Sequence, residues 1–358
     1  MKTYLICVLN WGLGHATRSI PIINNLLARK NKVIIASDGL ALNFLQKEYP
    51  KLQLTTLPAY NIQYPSFGSM FWSLLKQTPR LLKTIKEERN AVEQFVLLNG
   101  VDVIISDNRY GCHSSYTYNI LLTHQINIPL PQNYKWFLPL VKKQNHHYFK
   151  RFDEIWIPDF PDRLLTGEMS NTENLKTPAL FVGPLSRLSF KKSAQKDFIL
   201  IVLSGPEPQR EMLEQKFFNQ AKFVEEQIVL VRGTTSPLKR DVPANIEIID
   251  LAQSNEMNGL LLKAKHIICR SGYSSIMDLI TLKKTAYLIP TPGQTEQEQL
   301  ANHLGEKEIF LTCPQTLFNL TNAINAINTF EANKIDRVDL FESSTERLLK
   351  QMNRVETI

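Results

Sequence analysis

The feature of this sequence that most constrains its fold is an alternation of short apolar, β-branched runs with longer amphipathic segments. Nearly continuous apolar runs suit strands that are buried on both faces, and their alternation with helices predicts parallel sheets with right-handed crossovers. The predicted fold class is therefore α/β. The runs that predict strands are 3–9, 32–36, 101–106, 153–157, 198–203, 227–232, 245–251, 266–269 and 285–289, and helical patterns lie at 16–29, 208–222, 273–283 and 296–307.

The length of 358 residues exceeds what one ordinary hydrophobic core holds, so two domains are expected. Gly183 and Pro184 interrupt an apolar run, a polar and basic stretch follows, and a new strand pattern begins near Asp197. A charged amphipathic segment closes the chain and could pack back on the first domain. The predicted divisions are a first domain 1–183, a linker 184–196, a second domain 197–337 and a terminal helix 338–358.

Composition narrows the class of protein. The start of the chain has no secretory signal pattern, and no stretch approaches the roughly 20 apolar residues of a membrane span. Four dispersed cysteines, with no CxxC pair, predict reduced thiols in a cytoplasmic protein. The net charge of +7 suits anionic ligands or the inner face of an anionic membrane, although a basic surface also serves solubility. No zinc finger, RNP-type strand or basic helix is present, so no nucleic-acid partner is expected.

One stretch, residues 61–89, departs from the alternating pattern. It places aromatic and apolar residues, including Phe67 and Trp72, beside a cationic helical segment. Such a segment either lies at a membrane interface or covers the core with a solvated outer face. Both interpretations stay open at the level of sequence.

The strongest functional pattern is the stretch 269–304. After the run HIIC, the turn Ser271–Gly272 opens a helix whose free backbone N–H groups and dipole favour an anion such as a diphosphate. Ser274 and Ser275 could add hydroxyl donors, and Asp278, about one turn further on, could accept both hydroxyls of a ribose. Helix capping alone is the competing explanation.

The helix that follows begins with four polar residues, 296–299, whose side chains could bind sugar hydroxyls. A solvated helix start would explain them equally well.

This stretch resembles the nucleotide-sugar motif of GT-B glycosyltransferases, in particular family 28, which includes the enzyme that forms lipid II. Arg270, Ser271, Gly272 and Asp278 match its first part in spacing, and the run from Glu298 and Gln299 to Asn302 matches the second. The resemblance implies two Rossmann-like domains facing across a cleft. It also implies a ribose contact for Asp278 and donor-sugar contacts for Glu298 and Gln299. The family commonly has Glu where Asp278 stands.

Further donor contacts follow from the same resemblance. Ser204 and Gly205 match the loop that faces the diphosphate, with Pro206 in place of a more flexible residue. Arg187, in GPLSR, matches an interdomain arginine that reaches the donor phosphates, and Leu251 matches a backbone contact to uracil.

The turn GLGHATR near the amino terminus resembles the glycine-rich turn of the same family and of related nucleotide-sugar hydrolases. It is not a dinucleotide fingerprint, because Thr17 stands where the third glycine would be. Gly12 and Gly14 permit close approach of a ligand, and Arg18 could clamp an acceptor phosphate. Histidine is the side chain that ordinarily gains and loses a proton near neutral pH, so His15 suits a general base. The competing explanation is that His15 only caps the helix.

The loop 105–114 is the other candidate of the first half. Asp107 could orient His15 or act as the base itself, and Arg109 could contact the acceptor. His124, in a nearby loop, more often bridges backbone groups.

These residues predict an inverting, metal-independent glycosyltransferase without a cofactor. The expected donor is a nucleotide-sugar, with UDP as the expected nucleotide, and the expected acceptor is a glycan or lipid-linked hydroxyl. No Asp-x-Asp pair suited to a metal-bound diphosphate is found. The rival predictions are a nucleotide-sugar hydrolase or epimerase on the same fold, and a non-catalytic nucleotide-sugar-binding protein.

Overall fold

The computed structural model describes residues 1–62, 70–205, 207–238, 240–330 and 338–357. The chain divides into two compact units. Unit 1 is Met1–Leu185 together with Asp339–Ile358, and unit 2 is Ser186–Val338.

Unit 1 is built on a seven-stranded parallel sheet in the order β3-β2-β1-β4-β5-β6-β7. Its strands are β1 Thr3–Val8, β2 Lys32–Ser37, β3 Gln53–Thr56, β4 Val103–Asp107, β5 Tyr118–Leu122, β6 Glu154–Ile157 and β7 Ala179–Phe181. Its helices are α1 Gly14–Ala28, α2 Gly39–Glu48, α3 Met70–Asn99, α4 Leu138–Phe149 and α10 Val338–Thr357, with short 3₁₀ helices at Gln132–Phe137 and Gly167–Ser170.

Unit 2 is built on a six-stranded parallel sheet in the order β10-β9-β8-β11-β12-β13. Its strands are β8 Ile199–Val202, β9 Ile228–Val231, β10 Ile246–Ile249, β11 His266–Cys269, β12 Tyr287–Leu288 and β13 Leu311–Thr312. Its helices are α5 Gln209–Ala221, α6 Ser254–Lys263, α7 Tyr273–Thr281, α8 Thr295–Glu306 and α9 Leu320–Thr329.

Both sheets confirm the predicted α/β class, and each contains a point where the strand order reverses. In unit 1 the reversal lies between β1 and β4, and in unit 2 it lies between β8 and β11. Loops leave the carboxyl ends of the two strands in opposite directions at such a point, which opens a crevice for ligands. The predicted residues His15 and Asp107 lie at the first reversal, and the predicted loops through Ser204 and Ser271 lie at the second.

The terminal helix α10 packs on unit 1. The Lys2 ammonium donates to the Val355 carbonyl at 2.9 Å, and the Arg29 guanidinium pairs with Glu356 at 3.2 Å. Arg354 also pairs with the buried carboxylate of Glu154. Apolar side chains of α10 at Leu348, Met352 and Val355 are buried, so the helix is an integral part of this unit.

The second half of α3 covers the core of unit 1. Val92 and Val96 are buried and pack with apolar side chains of β1, β2 and β4. Within the 61–89 stretch, Ile85 is buried and packs with Leu9, Tyr60 and Tyr148, so this end of the stretch fits the core-covering interpretation. Phe67, named in the membrane interpretation, lies outside the described residues.

Candidate active site

The site in unit 1 begins with the turn from β1 into α1. Gly12 has a φ of +78°, a backbone conformation that favours glycine. A Cβ atom at this position would meet no other atom within 4 Å, so there is open space beside the turn. No side chain caps α1 at its N-cap residue, Leu13. His15 lies in the uncapped first turn with 14% of its side chain exposed.

Asp107 is the last residue of β4, and its register partner on β1 is Val8. This pairing brings the end of β4 next to the turn that carries His15. The Asp107 Oδ1 atom lies 2.9 Å from His15 Nδ1, and Arg18 Nε donates to Asp107 Oδ2 at 2.8 Å. A second contact joins the Arg18 Nη2 group to Asp107 Oδ1. Three sequence-predicted residues therefore form one network.

The hydrogen bonds determine which nitrogen of His15 is free to accept a proton. Its Nδ1 atom lies 2.9 Å from both the Asp107 carboxylate and Arg18 Nη2. A lone pair on Nδ1 would face an anionic oxygen, which is repulsive, whereas a proton there forms a charge-assisted hydrogen bond. The Arg18 Nη2 group does not need Nδ1 as an acceptor, because it already donates to Asp107 Oδ1. We therefore assign the proton of neutral His15 to Nδ1, which leaves Nε2 as the proton acceptor.

The environment of Asp107 favours its ionised form. Burial acts to raise the pKa of this carboxyl, but the charges and hydrogen bonds of Arg18 and His15 outweigh burial and lower the pKa to about 2. A carboxylate this acidic and only 1% exposed is a poor proton acceptor. Of the two roles predicted for Asp107, the geometry favours orienting His15.

Arg18 is nearly inaccessible, with 2% of its side chain exposed. Besides Asp107, its guanidinium approaches His124 Nδ1, at 3.4 Å. Arg18 therefore holds Asp107 in place from the interior of unit 1. This buried position differs from the prediction made from the sequence, in which Arg18 binds an acceptor phosphate. His124, just beyond the end of the neighbouring strand β5, is joined to the network through Arg18.

Arg109 lies in the interior of unit 1 and not at a ligand surface. It is fully buried, pairs with Glu88, and donates to Asp38 at 2.7 Å and to the Pro58 carbonyl at 2.6 Å. The predicted acceptor contact does not fit this position. With its carboxylate and carbonyl partners, Arg109 joins α3 to the sheet.

The site in unit 2 lies where β8 and β11 end side by side, with Val202 opposite Cys269. The loop through Ser204 and Gly205 leaves β8, and the turn through Ser271 and Gly272 leaves β11. Gly205 has a φ of +102°, a conformation that favours glycine. The two predicted diphosphate loops are therefore neighbours.

Helix α7 starts directly beyond this turn. No side chain caps α7 at Gly272, and the Ser275 Oγ atom lies 4.0 Å from the position of a Cβ at that glycine. Ser274 and Ser275 are both partly exposed. An uncapped helix start with adjacent hydroxyls offers donors to an anion.

Asp278 is partly buried in α7 and accepts a hydrogen bond from the Ser186 hydroxyl. Burial raises the pKa of this carboxyl to about 6, against the opposing effects of Ser186 and Arg187. Arg187 in turn donates to Ser254 Oγ, at 3.1 Å, at the start of α6. Arg187 and Asp278 thus lie at one end of the unit 2 sheet. Sequence reasoning missed Ser186, although the GPLSR motif contains it.

The polar residues at the start of α8 have different environments. Gln297, one of the four polar residues predicted to bind sugar hydroxyls, is instead buried, and its Oε1 accepts from the Thr291 N–H at 2.9 Å. The carboxylate of Glu298 accepts from the Gly293 N–H at 2.9 Å, which braces the preceding turn. Gln299 is partly exposed, and Leu251, beyond β10, is 46% exposed. Gln297 is thus a scaffold residue of the loop.

Among the residues that the structure describes, no group of three or more His, Cys, Asp or Glu side chains is placed to hold a metal ion.

A match to a known protein family spans most of unit 2 and continues into helix α10 of unit 1. Residues 199–352 match the glycosyltransferase family 28 C-terminal domain. No curated protein sequence matches the chain.

Among solved structures, the calicheamicin glycosyltransferase CalG4 is similar with a TM-score of 0.69 at 12% identity, covering 99% of this chain and 98% of that one. The spinosyn rhamnosyltransferase SpnG complexed with thymidine diphosphate gives a TM-score of 0.65 at 13% identity over 99% and 100% of the two chains. MurG of Acinetobacter baumannii gives 0.59 at 12% identity over 99% and 100%.

At these identities the structural matches show the fold, which is GT-B. The matched domain adds that the stretch 199–352 is similar to the C-terminal domain of glycosyltransferase family 28, within a chain whose fold is that of the GT-B glycosyltransferases.

Proposed function

We propose that this protein transfers a sugar from a UDP-sugar to an acceptor hydroxyl with inversion and without a metal ion. Unit 2 binds the donor, and unit 1 binds the acceptor and supplies the base. The observation that carries the proposal is the arrangement in unit 2, where the uncapped start of α7, Arg187 and Asp278 lie at the end of one sheet.

In the proposed donor site each group has a separate task. The Asp278 carboxylate accepts hydrogen bonds from the ribose hydroxyls. Arg187, Ser204 and the N–H groups at the start of α7 stabilise the charge that develops on the departing diphosphate. Gln299 and Glu298 contact the sugar, and the backbone at Leu251 contacts the base.

In the proposed reaction, His15 Nε2 removes the proton from the acceptor hydroxyl. The hydroxyl oxygen then forms a bond to the anomeric carbon as the bond from that carbon to the diphosphate breaks. Asp107 stabilises the imidazolium that results, as the carboxylate does in other His–Asp pairs. Gly12 and Gly14 leave room for the acceptor.

Calorimetric binding of UDP, GDP and dTDP tests the donor site. The panel includes dTDP because the similar protein SpnG is complexed with thymidine diphosphate. At pH 8, where Asp278 is ionised, the wild type should prefer UDP. Asp278→Ala should weaken UDP binding roughly 100-fold, because two hydrogen bonds to a charged acceptor are lost.

Asp197→Ala is the matched control, because Asp197 is an exposed carboxylate at the opposite, amino-terminal end of β8. No nucleotide binding by the folded wild type would overturn the donor assignment. Release of UDP from a UDP-sugar at catalytic rates without any acceptor would favour the hydrolase over the transferase.

The acceptor is proposed to lie at a membrane. In unit 1, Trp136 and Leu140 are 70% and 61% exposed, beside the exposed lysines Lys135, Lys142 and Lys143. Apolar side chains flanked by lysines suit an anionic bilayer surface, which is where a lipid-linked acceptor would be presented.

No helix in the described ranges has the length and apolar character needed to span a bilayer.

Co-sedimentation with vesicles tests this surface. The wild type should bind vesicles containing anionic lipid, bind neutral vesicles weakly, and be released by salt. Trp136→Ser combined with Leu140→Ser should lower the partition coefficient about tenfold or more, because apolar area no longer enters the interface. Phe223→Ser, which removes an exposed apolar residue of unit 2, should have no effect. Equal binding by the wild type and the double variant would contradict the proposal.

A further inference from the structure

Arg270 occupies a central position in unit 2. It is the first residue after β11 and is 1% exposed. Its guanidinium donates to the Gln209 carbonyl at 2.8 Å and to the Pro290 carbonyl at 3.2 Å. These contacts join the segments that follow β8, β11 and β12, and all three belong to the proposed donor site.

Among the residues that the structure describes, no carboxylate pairs with Arg270. Five arginines are buried in the described part of the chain, and four of them pair with carboxylates. In unit 2, Arg210 and Arg232 share Glu214, at 3.1 and 2.6 Å. Arg270 has only carbonyl oxygens as partners among the described residues. A buried charge without an opposite charge is costly, so an absent anion is expected nearby.

The hydrogen bonding at and around Arg270 is also incomplete within the described ranges. Within the described ranges, Arg270 Nε and the buried hydroxyl of Thr291 have no hydrogen-bond partner. That hydroxyl lies 3.5 Å from the position of a Cβ at Gly205, so it approaches the proposed diphosphate loop. The pKa of Arg270, lowered by burial to about 10, keeps the guanidinium charged at neutral pH.

We propose that the diphosphate of the donor is the missing counter-charge of Arg270. This inference rests on the proposed function of unit 2. Because the guanidinium is buried, Arg270 is a positioning residue. It holds the three loops together and favours the anion through the electric field at their surface, without direct contact. Its effect must therefore grow with the number of phosphate charges on the ligand.

Binding of uridine, UMP and UDP to the wild type and to Arg270 variants tests this. Arg270→Met should weaken UDP binding roughly 10- to 100-fold, UMP binding less, and uridine binding by no more than about twofold. Arg270→Lys keeps the charge and should restore most of the preference for UDP. If the Met variant does not fold, Arg270→Gln replaces it, because the amide can still donate to a carbonyl.

Arg210→Met is the matched control, because it removes a buried arginine that already has carboxylate partners. It should not change the ratio of UDP to uridine affinity. Equal weakening of uridine and UDP by Arg270→Met, or no weakening of UDP, would overturn the inference while the donor site stands. Failure of the wild type to bind any nucleotide would overturn the proposed function and this inference with it.

Discussion

Replacing His15 with alanine is expected to lower the rate of sugar transfer by about 10²- to 10⁴-fold, the usual contribution of a general base. Nucleotide binding should be unchanged, because the proposed donor residues belong to unit 2. The fold should also persist, since the Arg18–Asp107 ion pair does not depend on His15. Steady-state kinetics with a UDP-sugar and an accepted hydroxyl would measure the loss, which should fall on kcat.

His147→Ala provides the control, because His147 is an exposed histidine on α4 of the same unit. Its transfer rate should equal that of the wild type. Unchanged transfer by His15→Ala would remove His15 from the mechanism. A loss of nucleotide affinity as large as the loss of rate would show that the substitution disturbs more than the base.

Asp107→Asn is expected to damage both activity and stability. Without the carboxylate, Nδ1 of His15 is no longer held in its protonated form, and comparable His–Asp pairs lose about 10⁴-fold in kcat on this substitution. Arg18 would remain buried without a negative partner, which costs roughly 3–5 kcal/mol of unfolding free energy. Denaturant unfolding at neutral pH would measure that cost.

The pH dependence of stability distinguishes the loss of the Asp107 charge from a general packing defect. The pKa of Asp107 is about 2 in the folded protein, below the ordinary value near 4 of an unfolded chain. The carboxylate therefore contributes stability above pH 4, and that contribution is lost as the pH falls towards 2. The difference in unfolding free energy between the wild type and Asp107→Asn should shrink by about 2 kcal/mol over that interval.

Asp102→Asn is the matched control, because Asp102 is an exposed aspartate immediately before the same strand β4. Its activity should be close to that of the wild type. A stability difference for Asp107→Asn that does not change between pH 4 and pH 2 would contradict the role assigned to the ionised carboxylate.

The sequence alone determined the class of fold and the strands that carry the two sites. Buried strands such as β1 and β4 are rich in apolar and β-branched residues, so their pattern is visible locally. Strands β3, β5, β7 and β13 were not predicted. The two shortest, β7 and β13, have three and two residues and are defined by their pairing with neighbours and not by their composition. The Arg-Ser-Gly motif indicated the proposed donor loop because a glycine turn before a helix is a local feature.

Only the tertiary structure decided which predicted residues act together. Arg18 and Arg109 are equivalent candidates in sequence, yet one meets Asp107 and the other Glu88. Which carboxylate each arginine meets depends on the register of β1 against β4 and on the packing of α3, and both join residues far apart in the chain. The contact between Ser186 and Asp278, 92 positions apart, has the same origin. Local patterns determine where strands and helices form, whereas burial and long-range pairing determine which side chains meet.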